Sequence, residues 1–301
     1  MSIGSINRLQ PTDQKERLSP KTFKGLVTPV LTPYLKTPEK AKVDVDSLRF
    51  LVDSMLPYVD GLFPAGNAGE GPDLDLENYT SLLKTVIQTR NRSTRNHIPV
   101  IAGVLRKKPE EMVEFCLTAQ NVGVDGIIVA PMFGDHNPEN VVETILNITS
   151  LPVILYNNPG MHDNKELPIE VIKSLRDRHP NRVIGIKTSS KDFHVFEHIL
   201  KLKSEKFKVF QGHTAFDADS LEMGADGIVP VEANMNPKLF KGLELNSKNA
   251  KVAFEIGSGK VESLLAKLKR QRKELNMGAA QIVKYHLARE GVFKSDRMYN
   301  N

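Results

Sequence analysis

Three short stretches hold residues able to do chemistry together. "VIGIKTSS" (183–190) is an aliphatic run that finishes on an amine, Lys187. Lysine is among the residues least often fully buried, so either this side chain snorkels to water or its amine is wanted where water is scarce. In the second case an apolar wall penalises the ammonium form, ordinarily lost only at about pH 10.4, and releases a free amine that attacks ketones. "ILYNNPG" (154–160) presents a phenol, Tyr156, whose hydroxyl both donates and accepts. "AGNAGEGP" (65–72) is a glycine-rich loop whose backbone N–H groups could hold an anion. Lysine, tyrosine and anion nest form a constellation if the fold brings them to one mouth.

The elements that would do so are legible. Short apolar, β-branched runs recur as "GLVTPVL" (25–31), "VDGLFPAG" (59–66), "IPVIAGV" (98–104), "VDGIIVAP" (124–131), "PVILYN" (152–157), "VIGIK" (183–187), "KVFQG" (208–212) and "ADGIVPV" (225–231), and each reads as a buried strand. Stretches with helical spacing lie between most of them, such as "PEEMVEFCLTAQNVG" and "PENVVETILNI". Apolar strands alternating with helices indicate an all-parallel α/β protein with both sheet faces covered. A closed (β/α)8 barrel is the simplest such architecture; an open doubly wound sheet fits less well, because the first strand leads into "TPYLKTPEKAKVD" with no glycine-rich phosphate turn. Asp60, Asp125 and Asp226 each precede a glycine at a strand start, which is turn chemistry at the bottom of a barrel. The expected organisation is an N-terminal arm over residues 1–22, the barrel over 23–235, and C-terminal helices packed on it over 236–301. Active sites of such barrels lie at the C-terminal ends of the strands, where Lys187 and Tyr156 fall on neighbouring strands about 4.8 Å apart.

Composition narrows the classes further. With 301 residues, 40% hydrophobic and 26% charged, the chain can bury a full core, and no apolar run is long enough for a membrane span. The first twenty residues are polar and lack the apolar segment of a secretory signal, and the single cysteine, Cys116, fits a reducing compartment, so a cytoplasmic location is expected. Cys116 itself reads as helix packing. The net charge of +5 is concentrated in "KLKRQRKE" (267–274), which lacks interleaved aromatics and reads as a solvated helix face, with acidic small molecules as the milder inference and no nucleic-acid partner.

The chain resembles the Schiff-base aldolases that include dihydrodipicolinate synthase and N-acetylneuraminate lyase. The likeness runs from about Lys24 to the C-terminal helices and rests on "GNAGE" (66–70) after the second strand, "YNNP" (156–159) after the fifth and "GIK" (185–187) after the sixth. The resemblance implies that Lys187 forms a Schiff base with a 2-oxo acid, that Tyr156 moves protons, and that the loop amides from Gly66 through Asn67 and Ala68 to Gly69 bind the substrate carboxylate. It also implies no cofactor or metal, an aldehyde as second substrate, and a homodimer or homotetramer. Departures matter too. Asn67 and Ala68 replace the family's two loop hydroxyls, Met161 stands where the synthases carry an arginine, and Phe133 lies where they place a relay tyrosine; together these argue against a dedicated lysine-pathway synthase. Thr214 and Ala215 replace the acidic pair with which sialic acid lyases hold sugar hydroxyls. Phe133, Thr188, Ser189, His213, Val229 and Glu232 complete the expected pocket, each with a purely structural role as its competitor; Glu70 is expected to order its loop, while Met161 and His162 line the entrance. The expected activity is cleavage or formation of a C–C bond next to a 2-oxo acid. The alternatives are dehydration of a 2-oxo-3-deoxy sugar acid by the same Schiff base, or a silent barrel used for binding.

Overall fold

The computed structural model describes residues 18–35, 41–134, 136–247 and 251–299, with side chains excepted at 251–254. Each apolar run contains a strand: β1 Gly25–Pro29, β2 Gly61–Phe63, β3 Ile101–Val104, β4 Gly126–Val129, β5 Val153–Asn157, β6 Val183–Thr188, β7 Lys208–Gln211 and β8 Gly227–Ile228. All pair in parallel in the order β2-β1-β8-β7-β6-β5-β4-β3. The ring closes between β2 and β3, where Leu62 bridges Val100 and the Gly103 N–H donates to the Pro64 carbonyl at 2.9 Å. The architecture is therefore the expected (β/α)8 barrel with a C-terminal helical extension.

The crossover helices are α1 Val45–Met55, α2 Leu76–Arg92, α3 Pro109–Val122, α4 Pro138–Ile148, α5 Ile169–Arg178, α6 Phe193–Leu200 and the short α7 Asp217–Glu222. Four of them start on an Asx cap: Asp44, Asp75, Asn137 and Asp192 each accept a backbone N–H from the first turn, satisfying a donor that has no partner within the helix. Three aspartates stitch the bottom of the barrel. Oδ2 of Asp60, Asp125 and Asp226 accepts the N–H of Leu26, Val100 and Val209, in or just before the preceding strand, at 2.9, 2.8 and 3.0 Å. Gly25, at φ 88°, is what lets Asp60 in, since a Cβ there would sit 2.1 Å from its Oδ2.

Side chains divide into two clusters, as alternation along a closed sheet requires. Val27, Phe63, Ile128, Ile154, Ile184 and Phe210 fill the barrel, while Leu26, Ile127, Val129, Val153, Leu155, Val183 and Ile186 face the helices. Leu18 and Phe23, just before β1, join the interior set, and Phe23 stacks on Phe210 with ring centroids 4.1 Å apart. The chain ahead of β1 thus closes the barrel floor; the rest of the expected arm, residues 1–17, lies outside the described residues. On β6 the alternation is interrupted. Val153 pairs with Val183 but Ile154 with Gly185, so β6 carries one extra residue, and thereafter Tyr156 sits directly opposite Lys187.

Beyond β8 come α8 Pro237–Asn246, α9 Lys251–Leu275 and α10 Ala279–Arg289. Asn234 ties this end to the first strand by donating to the Pro29 carbonyl at 2.8 Å and accepting the Leu31 N–H at 3.2 Å. Among the described residues no helix is long and apolar enough to cross a membrane.

Candidate active site

Lys187 and Tyr156 meet at the C-terminal mouth. Both are buried, at 5% and 3% exposure, and Lys187 Nζ donates to Tyr156 Oη at 3.3 Å while lying over the Tyr156 and Phe63 rings. Tyr156 Oη also accepts the Asn158 side-chain N–H at 3.0 Å and lies 3.3 Å from Ser189 Oγ. A phenol has two acceptor sites and one proton; with Lys187 and Asn158 donating to it, its own proton is directed at Ser189. Gly212 on the next strand end leaves the lysine its room, because a Cβ there would sit 2.4 Å from both Lys187 Cε and Ser189 Oγ.

The glycine loop reaches the same space. Asn67 and Ala68 border the cavity beside Tyr156, Asn158, Lys187, Ser189, Gly212, His213 and Val229. Within the loop the Glu70 and Gly71 amides are taken by the Asn67 and Gly66 carbonyls, whereas the Asn67 and Ala68 N–H groups have no partner among the described residues. Its conformation is strained, with Ala65 and Glu70 at φ 55° and 60°, outside the range non-glycine residues prefer. Three groups hold it in place. Thr32 Oγ1 donates to the Gly69 carbonyl at 2.7 Å, Arg106 donates to the Pro72 and Leu74 carbonyls at 2.6 and 2.7 Å, and Lys284 of α10 forms a buried ion pair with Glu70. Burial pushes the Glu70 carboxyl up and the Lys284 ammonium down, and their mutual contact opposes both shifts. Glu70 therefore orders its loop, as expected.

Several expected pocket residues sit elsewhere. Phe133 belongs to the interior cluster with Tyr156, and Gly66 and Gly69 flank the cavity-lining pair without bordering the cavity themselves. Thr188 turns away to accept the Asn157 side-chain N–H at 3.0 Å, and Asn157 in turn donates to Glu166 at 2.6 Å, clamping the ends of β5 and β6. Met161 packs against the interior cluster, and neither it nor His162 borders the cavity.

Other groups were not anticipated. Asn158, the variable position of "YNNP", contacts the phenol directly. Residues 267–274, expected to be a solvated face, are largely exposed, and three of them, Lys269, Arg272 and Lys273, also line the cavity beside Leu265 and Leu268. Their spacing of three and four residues was legible, but where the helix docks was not. Near the His213–Thr214 turn lie two carboxyl groups, the expected Glu232 and the unanticipated Asp217. Glu232 accepts the Thr214 hydroxyl at 2.8 Å, and its carboxyl is raised, chiefly by burial. Asp217 is fully buried with no hydrogen-bond partner for either oxygen among the described residues; burial raises its carboxyl well above the usual range, Glu232 adds to this and Lys187 opposes it. Burial, then the charges of Lys191 and Arg272, lowers His213.

A closed (β/α)8 barrel with a buried amine–phenol pair under its mouth is the layout of a barrel enzyme. A model of the dihydrodipicolinate synthetase family matches residues 22–299, and the chain belongs to that family, whose members are lyases of the class I aldolase type. It is 31% identical over 221 residues to a 4-hydroxy-tetrahydrodipicolinate synthase of Geobacter metallireducens, covering 72% of each chain. In fold it is similar to dihydrodipicolinate synthase of Bacteroides thetaiotaomicron, with TM-score 0.79 and 23% identity over 91% of both chains. It is also similar to a catalytic-lysine mutant of Ruminococcus gnavus sialic acid aldolase, with TM-score 0.78 and 18% identity over 90% of this chain and 87% of that one.

Two outcomes are expected. Lys284→Met leaves the buried Glu70 carboxyl without its cation, so it should cost about 3–5 kcal/mol in a denaturant titration and raise the KM for a 2-oxo acid by loosening the loop; wild-type stability would show that the pair holds nothing. The raised Asp217 carboxyl keeps its proton in the folded state at a pH where the unfolded chain has released it. Its contribution is complete below about pH 4 and declines as pH rises toward the folded value. Asp217→Asn should thus raise the melting temperature in neutral buffer and flatten its fall as pH rises above about 4; a profile parallel to wild type would contradict the buried acid.

Proposed function

We propose that the protein is a Schiff-base-forming aldolase or lyase that makes or breaks the C–C bond beside a 2-oxo acid of the pyruvate type, with Lys187 as nucleophile and Tyr156 as proton carrier. The observation that supports this best is the 3.3 Å contact between Lys187 Nζ and Tyr156 Oη, both buried at the barrel mouth. In the cleavage direction the lysine nitrogen adds to the C2 ketone, and loss of water leaves an iminium. Breaking the C3–C4 bond sends its electron pair into the iminium to give an enamine, while the C4 hydroxyl proton passes to Tyr156 and the aldehyde departs. Protonation at C3 and hydrolysis then return the 2-oxo acid and the free lysine. The unpartnered Asn67 and Ala68 amides suit the substrate carboxylate, and Ser189 takes the outlet position for the phenolic proton. The geometry adds nothing in favour of the dehydratase or binding-only alternatives.

A cytoplasmic setting belongs to the same proposal. It fits the single cysteine, Cys116, whose burial on α3 pushes its thiol up to about 11 and leaves it inert. So does self-association as a dimer or tetramer, supported by exposed apolar side chains at Phe50, Leu245 and Ile256 and measurable by light scattering.

Incubation with pyruvate and borohydride should add one reduced pyruvyl group, mapped by mass spectrometry to the peptide containing Lys187. Lys187→Ala should abolish the adduct at unchanged melting temperature, and Tyr156→Phe should lower turnover by about 10²–10⁴. An adduct that persists in the Lys187→Ala protein would remove the proposal.

A further inference from the structure

The cavity above the lysine measures about 870 Å³, toward the upper end of the roughly 300–1,000 Å³ typical of small-molecule sites and far more than a three-carbon acid occupies. Its floor accounts for the reacting end of a substrate: amine, phenol and loop amides. Its outer wall is of a different character. On α9 the cavity-lining positions are Leu265, Leu268, Lys269, Arg272 and Lys273, a single face at helical spacing on which apolar residues give way to three cations. None of the three cations has an acidic partner among the described residues, although the helix also carries acids. The lining includes one carboxyl, Glu232, which is 8% exposed and engaged by Thr214. The outer cavity is therefore a concave surface of one sign, the arrangement that concentrates a counter-ion.

We infer that the substrate carries a second anionic group, a carboxylate or a phosphate, at the end remote from its 2-oxo acid, and that Lys269, Arg272 and Lys273 recognise it. The inference rests on the proposed aldolase reading and names its substrate class. The pairing is one of opposite ends: the first carboxylate goes to the Asn67–Ala68 amides, the chain between passes Lys187 and Tyr156, and the distal anion meets α9. Arg272 shares the cavity lining with His213 and Glu232, and its Nε–H donates to the Met277 carbonyl at 3.4 Å, which orients the guanidinium. A guanidinium offers the planar fork that both carboxylate and phosphate accept in pairs. Exposed cations act weakly one at a time and are screened by salt, so the recognition is collective and should fade as ionic strength rises past about 0.1 M.

The test uses 4-hydroxy-2-oxo acids of matched length ending in a carboxylate, a phosphate monoester or a neutral hydroxymethyl group, with pyruvate release as the readout. The wild-type protein should favour one or both anionic substrates by about 10–100-fold in kcat/KM, mainly through KM. The carboxylate and phosphate arms distinguish the two sources. In the variant K269Q/R272Q/K273Q, checked for an unchanged melting temperature, the anionic-over-neutral ratio should fall to about one. No anionic preference in wild type, or a variant that loses equally on all three substrates, overturns the inference. Calorimetric binding to the Lys187→Ala protein separates this result from failure of the chemistry. There 2-oxoglutarate should bind at least about tenfold more tightly than 2-oxopentanoate even if no substrate is turned over; equal affinities overturn the inference while leaving the aldolase reading intact.

Discussion

One extra residue in β6 sets the site. A strand shows alternate side chains to opposite faces, so a lysine an odd number of positions from an inward-facing isoleucine would ordinarily point outward. Ile184 is inside the barrel and Lys187 lies three residues on, yet Lys187 is inside too, because the register against β5 slips between Val183 and Gly185. The same slip aligns Lys187 with Tyr156; without it Ile186 would face the phenol. Gly185 suits the slip, since a Cβ there would sit 2.6 Å from the Lys208 carbonyl of β7. Bulges at sheet ends commonly re-aim a side chain, and here the re-aimed group is the lysine proposed as the nucleophile.

Around that point the fold spends long-range contacts on holding a strained loop. The 65–70 segment has two non-glycine residues in the left-handed region, a conformation that persists only where the surroundings over-determine it. Those surroundings come from distant parts of the chain: Thr32 beyond β1, Arg106 beyond β3 and Lys284 from α10. Lys284 also donates to the Arg297 carbonyl at 3.0 Å, so the C-terminal segment is part of the clamp. The helices after the barrel are thus more than packing, because one of them fixes the loop that borders the cavity and another forms the outer cavity wall.

How far the sequence could be read follows from where each signal resides. The strands were legible because a parallel barrel buries both strand faces, leaving continuous apolar runs, and Lys187 and Tyr156 were legible because they break such runs at their ends. Contacts set by tertiary docking were not. Asn158 occupies a variable motif position, and only the turn of the chain after Asn157 brings its amide to Tyr156. Thr188 and Ser189 are adjacent hydroxyl residues with equal claim from sequence, and the pleat sends one to Asn157 and the other to the phenol. The basic face of α9 is periodic in sequence, but periodicity does not distinguish a face turned to bulk water from one turned to a cavity.

The charges of the site make sense only together. Two carboxyl groups, Asp217 and Glu232, lie at this end of the barrel, and if both were ionised they would oppose the cationic wall above. Burial opposes that state. Asp217 has no donor to stabilise its charge, and Glu232 has one hydroxyl, so removal from water raises both carboxyls above the ordinary range. Carboxyls kept toward the neutral form do not repel an incoming acid. The apolar packing that makes the barrel stable thereby also sets the sign of the field at its mouth, which favours anions, and the same desolvation makes Asp217 a standing cost to folding at neutral pH.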